Sequence, residues 1–169
     1  MNKTEQCRKI YRHCFGEDIE FENLLFDTCG EYIRYLEEDG EILSFLFLLP
    51  CKIRTEEKTL DGGYIFAAAT AEKHRNRGLM STLLKKSGAE NLDILILRPA
   101  NDSLVKFYEK AGFTAITAQD IKSKTPEFIP TDNFAILASE EKTNEGKFTA
   151  MVNRFNTLCE DIYFLCSMR

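Results

Sequence analysis

Through the first thirty positions apolar residues recur at the spacing of a helix. Cys7, Ile10, Tyr11 and Cys14 stand three, four and seven apart, which predicts a helix over 3–14 with Gly16 as its stop. Phe21, Leu24, Leu25 and Cys29 predict a second helix from Asp18 or Glu20 to Cys29, capped by Gly30. The pattern then changes to short apolar runs of strand length: 32–36, 41–49, 51–55 and 64–70, with EEDG (37–40) and DGG (61–63) as turns between them. Helical spacing returns over Arg75–Ser87, with Leu79, Met80, Leu83 and Leu84 as its stripe. A continuous run at 92–97 reads as a buried strand. Asp102–Ala111 reads as a helix, with Asn101 or Asp102 at its start and Gly112 at its end. Late strands are expected at 113–118 and 133–139, a loop between them with Pro126 and Pro130, and a closing helix over 145–168.

Hairpin-linked strands followed by strand–helix–strand–helix–strand predict an α/β (α+β) fold. Its sheet is central, twisted, mixed and mostly antiparallel, with helices on both faces and a parallel βαβ crossover. Length narrows this to one domain spanning 1–169, since 169 residues without repeats or a linker suit a single core. The chain is 44% hydrophobic and 29% charged, an ordinary globular balance. A net charge of −5 argues against nucleic acid or an anionic membrane as partner. Six cysteines occur without a CxxC, so buried reduced thiols are favoured over disulfides or a metal site. The run ILSFLFLLP (42–50) is too short to span a bilayer, and MNKTEQCRKI lacks the apolar core of a signal peptide. The expectation is a soluble, cytoplasmic protein.

Against that acidic background, HRNRGLMSTLLKK (74–86) gathers positive charge where a strand gives way to a helix. A helix start offers unpaired backbone N–H groups and a partial positive charge, which suits a phosphate. Gly78 lets the backbone come close to a ligand. A solvated basic helix end is the competing reading of this segment alone. Neither a Walker A sequence nor GxGxxG accompanies it.

Downstream stands LRPANDSLVKFYEKAGF, Leu97 to Phe113. Together the two segments resemble the GCN5-related N-acetyltransferase (GNAT) superfamily, from about Tyr64 to Phe113. That family shows Gln/Arg-x-x-Gly-x-Gly/Ala opening a helix, then an Asn after the next strand and a Tyr seven residues later. Arg75, Gly78, Asn101 and Tyr108 match these positions, and Met80 stands where the family shows Gly or Ala.

The resemblance implies a CoA site at the βαβ crossover and acetyl-CoA as acyl donor, with no metal. It implies that Ala68, Ala69 and Thr70 pair their backbone with the pantetheine arm. Asn76, Arg77, Gly78, Leu79, Met80 and Ser81 would present backbone N–H groups to the pyrophosphate, with Arg75 and Arg77 adding charge. Asn101 would bond the cofactor arm. Tyr108 would protonate the leaving thiolate, and a backbone N–H near Ala69 or Thr70 would polarise the acetyl carbonyl.

The implied reaction is direct attack of a primary amine, on a small molecule or peptide, upon the thioester. The alternative is a non-catalytic CoA-binding or protein-interaction module on the same fold. A homodimer is left open. Glu72 is the candidate base, at the end of the cofactor strand. Ten acids against Arg34 alone between Phe15 and Glu41 are either a rim that gathers a cationic amine or ordinary caps and solvated turns. Taken singly, Tyr108 could be a core tyrosine and Asn101 a helix cap. His74 reads as a surface residue and His13 as one that packs at a helix end.

Overall fold

The computed structural model describes residues 1–16, 18–54, 59–88, 91–116, 127–130 and 164–168. The fold is mixed α/β. Its described residues fall into two compact units, the first drawn from Met1–Leu49 and Ile65–Asn91, the second from Pro50–Tyr64 and Leu92–Arg169.

In the first unit, helix α1 (Lys3–Phe15) starts where the Asn2 side chain accepts the Glu5 N–H at 2.8 Å. It ends where Gly16 takes a left-handed φ of 94°. Helix α2 (Ile19–Cys29) is capped by Asp18, which accepts the Phe21 N–H. Gly30 is the C-cap of α2, as expected, without taking a left-handed conformation. Its φ is −57°, and the chain tightens into a 3₁₀ turn over Gly30–Tyr32. Strand β1 (Ile33–Glu38) pairs antiparallel with β2 (Glu41–Arg54) through the turn residues Asp39 and Gly40, both with positive φ. Phe45, Leu46 and Phe47 of β2 are wholly buried, and Phe26 from α2 packs edge-on against Phe47. The later half of β3 (Thr59–Thr70) and helix α3 (Leu79–Gly88) complete the unit, with α3 packed over β1.

Two predicted breaks are absent. The predicted segment 41–49 and the described part of 51–55 are one strand, Glu41–Arg54, that runs through Pro50. Proline removes a single donor and keeps an extended φ, so a strand survives it where that donor is not needed. The DGG predicted as a turn lies inside β3. A Cβ on Gly62 would come within 2.9 Å of the Cys51 Sγ and 3.3 Å of Ile94, so this glycine serves close approach rather than a turn.

In the second unit, β4 (Ile94–Leu97) is buried at all four positions. It neighbours β3, with α3 in the connection between them, and Asp61 and Asp93 exchange hydrogen bonds at 2.8 and 2.9 Å. Helix α4 (Asp102–Lys110) leads to β5 (Thr114–Ile116). Strand β6 (Glu127–Pro130) pairs antiparallel with Cys51–Arg54 of β2. Strand β7 (Phe164–Met168) lies between β4 and β5, antiparallel to both, so β4 and β5 run parallel with α4 as the connection.

Residues 127–130, expected in a loop, are therefore a strand, and so are 164–168, expected to end a helix. Backbone pairing with β2 and with β4 and β5 overrides the local pattern. The strand predicted at 133–139, most of the closing helix and residues 117–118 lie outside the described residues. Cys7, Cys29 and Cys51 are buried free thiols pushed up to about 12 by burial. Cys14, also free, is half-buried. Among the described residues no helix is long and apolar enough to cross a membrane.

Candidate active site

The donor-side candidates begin inside β3. Ala67 adopts a φ of 48°, uncommon for a residue with a Cβ, and so interrupts the strand's alternation just before Ala68. Nothing in the sequence marks it, because alanine carries no turn signal. Beyond it the strand end is fastened to β2. The buried Ser44 hydroxyl lies 3.1 Å from the Ala69 carbonyl, to which it donates, and 3.0 Å from the Thr70 Oγ1. The Ala71 N–H donates to the Leu43 carbonyl at 2.9 Å.

The chain next makes a 3₁₀ turn over Glu72–His74, and α3 begins only at Leu79, four residues later than predicted. Arg75 to Gly78 form the approach, with left-handed φ at Asn76 (62°) and Gly78 (72°). A Cβ on Gly78 would meet no protein atom within 4 Å, so its dihedral demands glycine and the space beside it is open. The consequence is a row of free donors. Among the described residues no carbonyl accepts the N–H of Asn76, Arg77, Gly78, Leu79, Met80 or Ser81. The next N–H along, that of Thr82, reaches the Gly78 carbonyl at 3.0 Å. Met80 and Ser81 are half-buried in the first turn of α3.

The cations around this row differ in placement. Arg75 folds back, its Nε donating to the Thr70 carbonyl (3.4 Å) and its Nη2 to the Cys14 Sγ (3.5 Å). Arg77 lies against His74 and Glu38. His74 is half-buried rather than superficial, and its Nε2 is enclosed without a hydrogen-bond partner. His13 is exposed instead of packed, its Nε2 3.0 Å from Glu72 Oε2. His13 and Glu72 line a groove of about 860 Å³ beside Gln6, Lys9, Arg12 and Glu41.

Among the described acids between Phe15 and Glu41, six cap a helix or pair with a cation. Asp18 caps α2, and Glu22 is enclosed by Arg8 and Arg12. Asp27 pairs with Arg8, Glu37 with Lys3, Glu38 with Arg77 and Glu41 with Lys73. Among the described residues no group of His, Cys, Asp and Glu gathers in a way that could hold a metal.

Asn101 and Tyr108 belong to the second unit. Asn101 caps α4: its Oδ1 accepts the Leu104 N–H at 3.3 Å and the Ser103 hydroxyl at 2.6 Å. The FYEKAGF phrase is a helix stop. The Tyr108 carbonyl accepts the N–H groups of Ala111 (2.9 Å) and Phe113 (3.1 Å), while Gly112 turns the chain with a φ of 95°. Phe113 thereby lands on the Tyr108 ring, centroids 5.9 Å apart, with Phe107 5.1 Å away on the same helix. Tyr108 is buried, and burial raises its phenol above the usual value of 10.0.

No curated protein matches the chain. Among solved structures, a GCN5-related N-acetyltransferase from Anabaena variabilis aligns with a TM-score of 0.58 at 21% identity, covering 67% of this chain and 30% of that one. A glucosamine-6-phosphate N-acetyltransferase from Arabidopsis thaliana aligns with a TM-score of 0.54 at 14% identity, covering 69% and 90%. A GNAT family N-acetyltransferase from Escherichia coli, solved in complex with CoA, gives 0.51 at 18%, covering 66% and 63%. The chain spans about a third of the length of the first structures it matches. These likenesses show the fold. The family model described as an acetyltransferase (GNAT) domain matches residues 2–116, more than half of the sequence. With the turn ahead of α3 and the helix stop around Tyr108 both formed, this chain belongs to the GNAT acetyltransferase family.

Proposed function

We propose that this protein transfers an acetyl group from acetyl-CoA to a primary amine by direct attack of the amine on the thioester. The observation that carries the reading is the row of free N–H groups from Asn76 to Ser81, opened by the two left-handed residues and set at the start of α3. Such a row, next to a guanidinium and an open face at Gly78, suits a pyrophosphate better than any neutral group. The CoA held by the Escherichia coli relative supports the same choice.

On this reading Arg77 adds charge at the pyrophosphate, while Arg75 braces the turn from behind. Ala68 to Thr70 offer strand-like backbone to the pantetheine arm. The Asn101 carbonyl oxygen is used by its own helix, which leaves its amide hydrogens for the cofactor arm. Tyr108 stays protonated in its buried setting and gives its proton to the departing thiolate. Glu72, paired with His13 at the groove, accepts a proton from the attacking amine.

The acceptor is an amine of a small molecule or a peptide. An acidic run between Phe15 and Glu41 leaves a cationic amine among the candidates.

Calorimetric titration with acetyl-CoA tests the reading. Wild type is expected to bind in the micromolar range, and Gly78→Glu, which puts a carboxylate into the open space, is expected to lose binding. A wild type that binds no acetyl-CoA refutes the proposal. Binding without turnover on any of a panel of amines would leave only the non-catalytic module.

A further inference from the structure

Two carboxylates face each other at the tip of the β1–β2 hairpin. Glu38 closes β1, Glu41 opens β2, and they are register partners. Asp39 and Gly40, with φ of 50° and 78°, form the two-residue turn that fixes them there. Like charges directly opposite on an antiparallel pair repel, so this tip calls for cations.

The cations come from the segment leading into α3. Lys73 Nζ lies 2.5 Å from Glu41 Oε1. Arg77 Nη2 lies 3.2 Å from Glu38 Oε2. His74 sits beside them, its Nδ1 2.9 Å from Arg77 Nη1 and its Nε2 3.5 Å from Glu41 Oε1, too far and too poorly aligned to bond. A guanidinium only donates, so in this contact His74 Nδ1 is the acceptor.

Arg77 is therefore occupied through both terminal nitrogens before any ligand arrives. A carboxylate and a phosphate ask for the same guanidinium N–H groups. Both partners are accessible, with 45% and 58% of the side-chain surface exposed for Arg77 and Glu38, so the arginine can change partners without unpacking the core.

We infer that Glu38 is an internal counter-anion: it competes with the cofactor pyrophosphate for Arg77 and so sets the affinity of the turn. The inference rests on the reading of Asn76–Ser81 as the pyrophosphate site. Glu38 is then an affinity-setting residue outside the site, acting through Arg77.

Titration of the whole chain with CoA, in wild type, Glu38→Gln, Arg77→Gln and the double variant, tests it. Glu38→Gln is expected to tighten the Kd by about 2- to 5-fold, the scale of an exposed ion pair. In the Arg77→Gln background the same change is expected to have little effect, since the competition needs the arginine. Unchanged or weaker binding by Glu38→Gln overturns the inference, because Glu38 would then be idle or would hold Arg77 in its binding pose. Equal tightening in both backgrounds also overturns it, showing simple repulsion between Glu38 and the ligand. If wild type binds no CoA, the reading of the turn fails first and takes the inference with it.

Discussion

A phenol pressed against Phe107 and Phe113 ionises less readily than one in water, because burial penalises the charged form. For Tyr108 that direction suits an acid and not a base. Replacing Tyr108 by Phe keeps the ring packing and removes only the proton, so kcat is expected to fall by about 10²- to 10⁴-fold with KM for acetyl-CoA nearly unchanged. A raised folded-state value keeps the proton in place through the neutral and mildly alkaline range. The loss of rate assigned to Tyr108 therefore belongs above pH 10, and an alkaline limb between pH 7 and 9 that disappears in Tyr108→Phe would contradict the role. Two other residues show how chemistry and conformation share a position. Gly78 is needed for its left-handed φ, and the same missing Cβ leaves open space beside the free N–H groups. Asn101 spends its side-chain oxygen on capping α4 and keeps its amide hydrogens for other partners.

Between elements, the α1–α2 contact is organised around Glu22. Burial alone would raise this carboxyl, but hydrogen bonds from Arg12 (2.6 and 2.7 Å) and Arg8 (3.1 Å) outweigh it and hold the value below the usual carboxylate range. Arg8 also stacks over the Phe26 ring, tying the ion network to the apolar core. Removing one partner of such a network leaves the others uncompensated. Glu22→Ala is expected to cost about 3 kcal/mol in a denaturant titration at neutral pH. A lowered folded-state value means that this stabilisation is present above the unfolded carboxylate range and is lost as pH falls through the folded value. The gap between wild type and Glu22→Ala should accordingly shrink when the same titration is run at acid pH. A gap that stays constant would assign the effect to packing instead of charge. The hairpin tip follows the same logic in the open, where Glu38 and Glu41 are offset by Arg77 and Lys73 from the segment ahead of α3.

For the molecule as a whole, a ligand that binds only the folded chain raises its stability by mass action. Acetyl-CoA at a hundred times its Kd is expected to add about 2.7 kcal/mol, roughly 5–10 °C in Tm for a chain of this size. Gly78→Glu should show no such shift, and an equal shift in both would move the binding site away from this turn. Much of this was legible in the sequence. Apolar periodicity located α1, α2, α3 and α4, because helix packing repeats every three or four residues along one stretch of chain. Arg75-x-x-Gly78 and FYEKAGF marked the basic turn and the helix stop, because left-handed φ and chain reversal demand particular residue types. Those demands are local, and a local demand leaves its trace in composition. What tertiary structure alone decided involves residues distant in sequence. Strand partners turned 127–130 and 164–168 into strands, since backbone pairing has no residue code of its own. Gly62 reads as a turn until Cys51 is seen against it, and Ala67 carries no signal of its positive φ. The same holds for charge. The sequence places a basic turn in an acidic chain, but only the hairpin register brings Glu38 to Arg77, because electrostatic partners are chosen by distance in space.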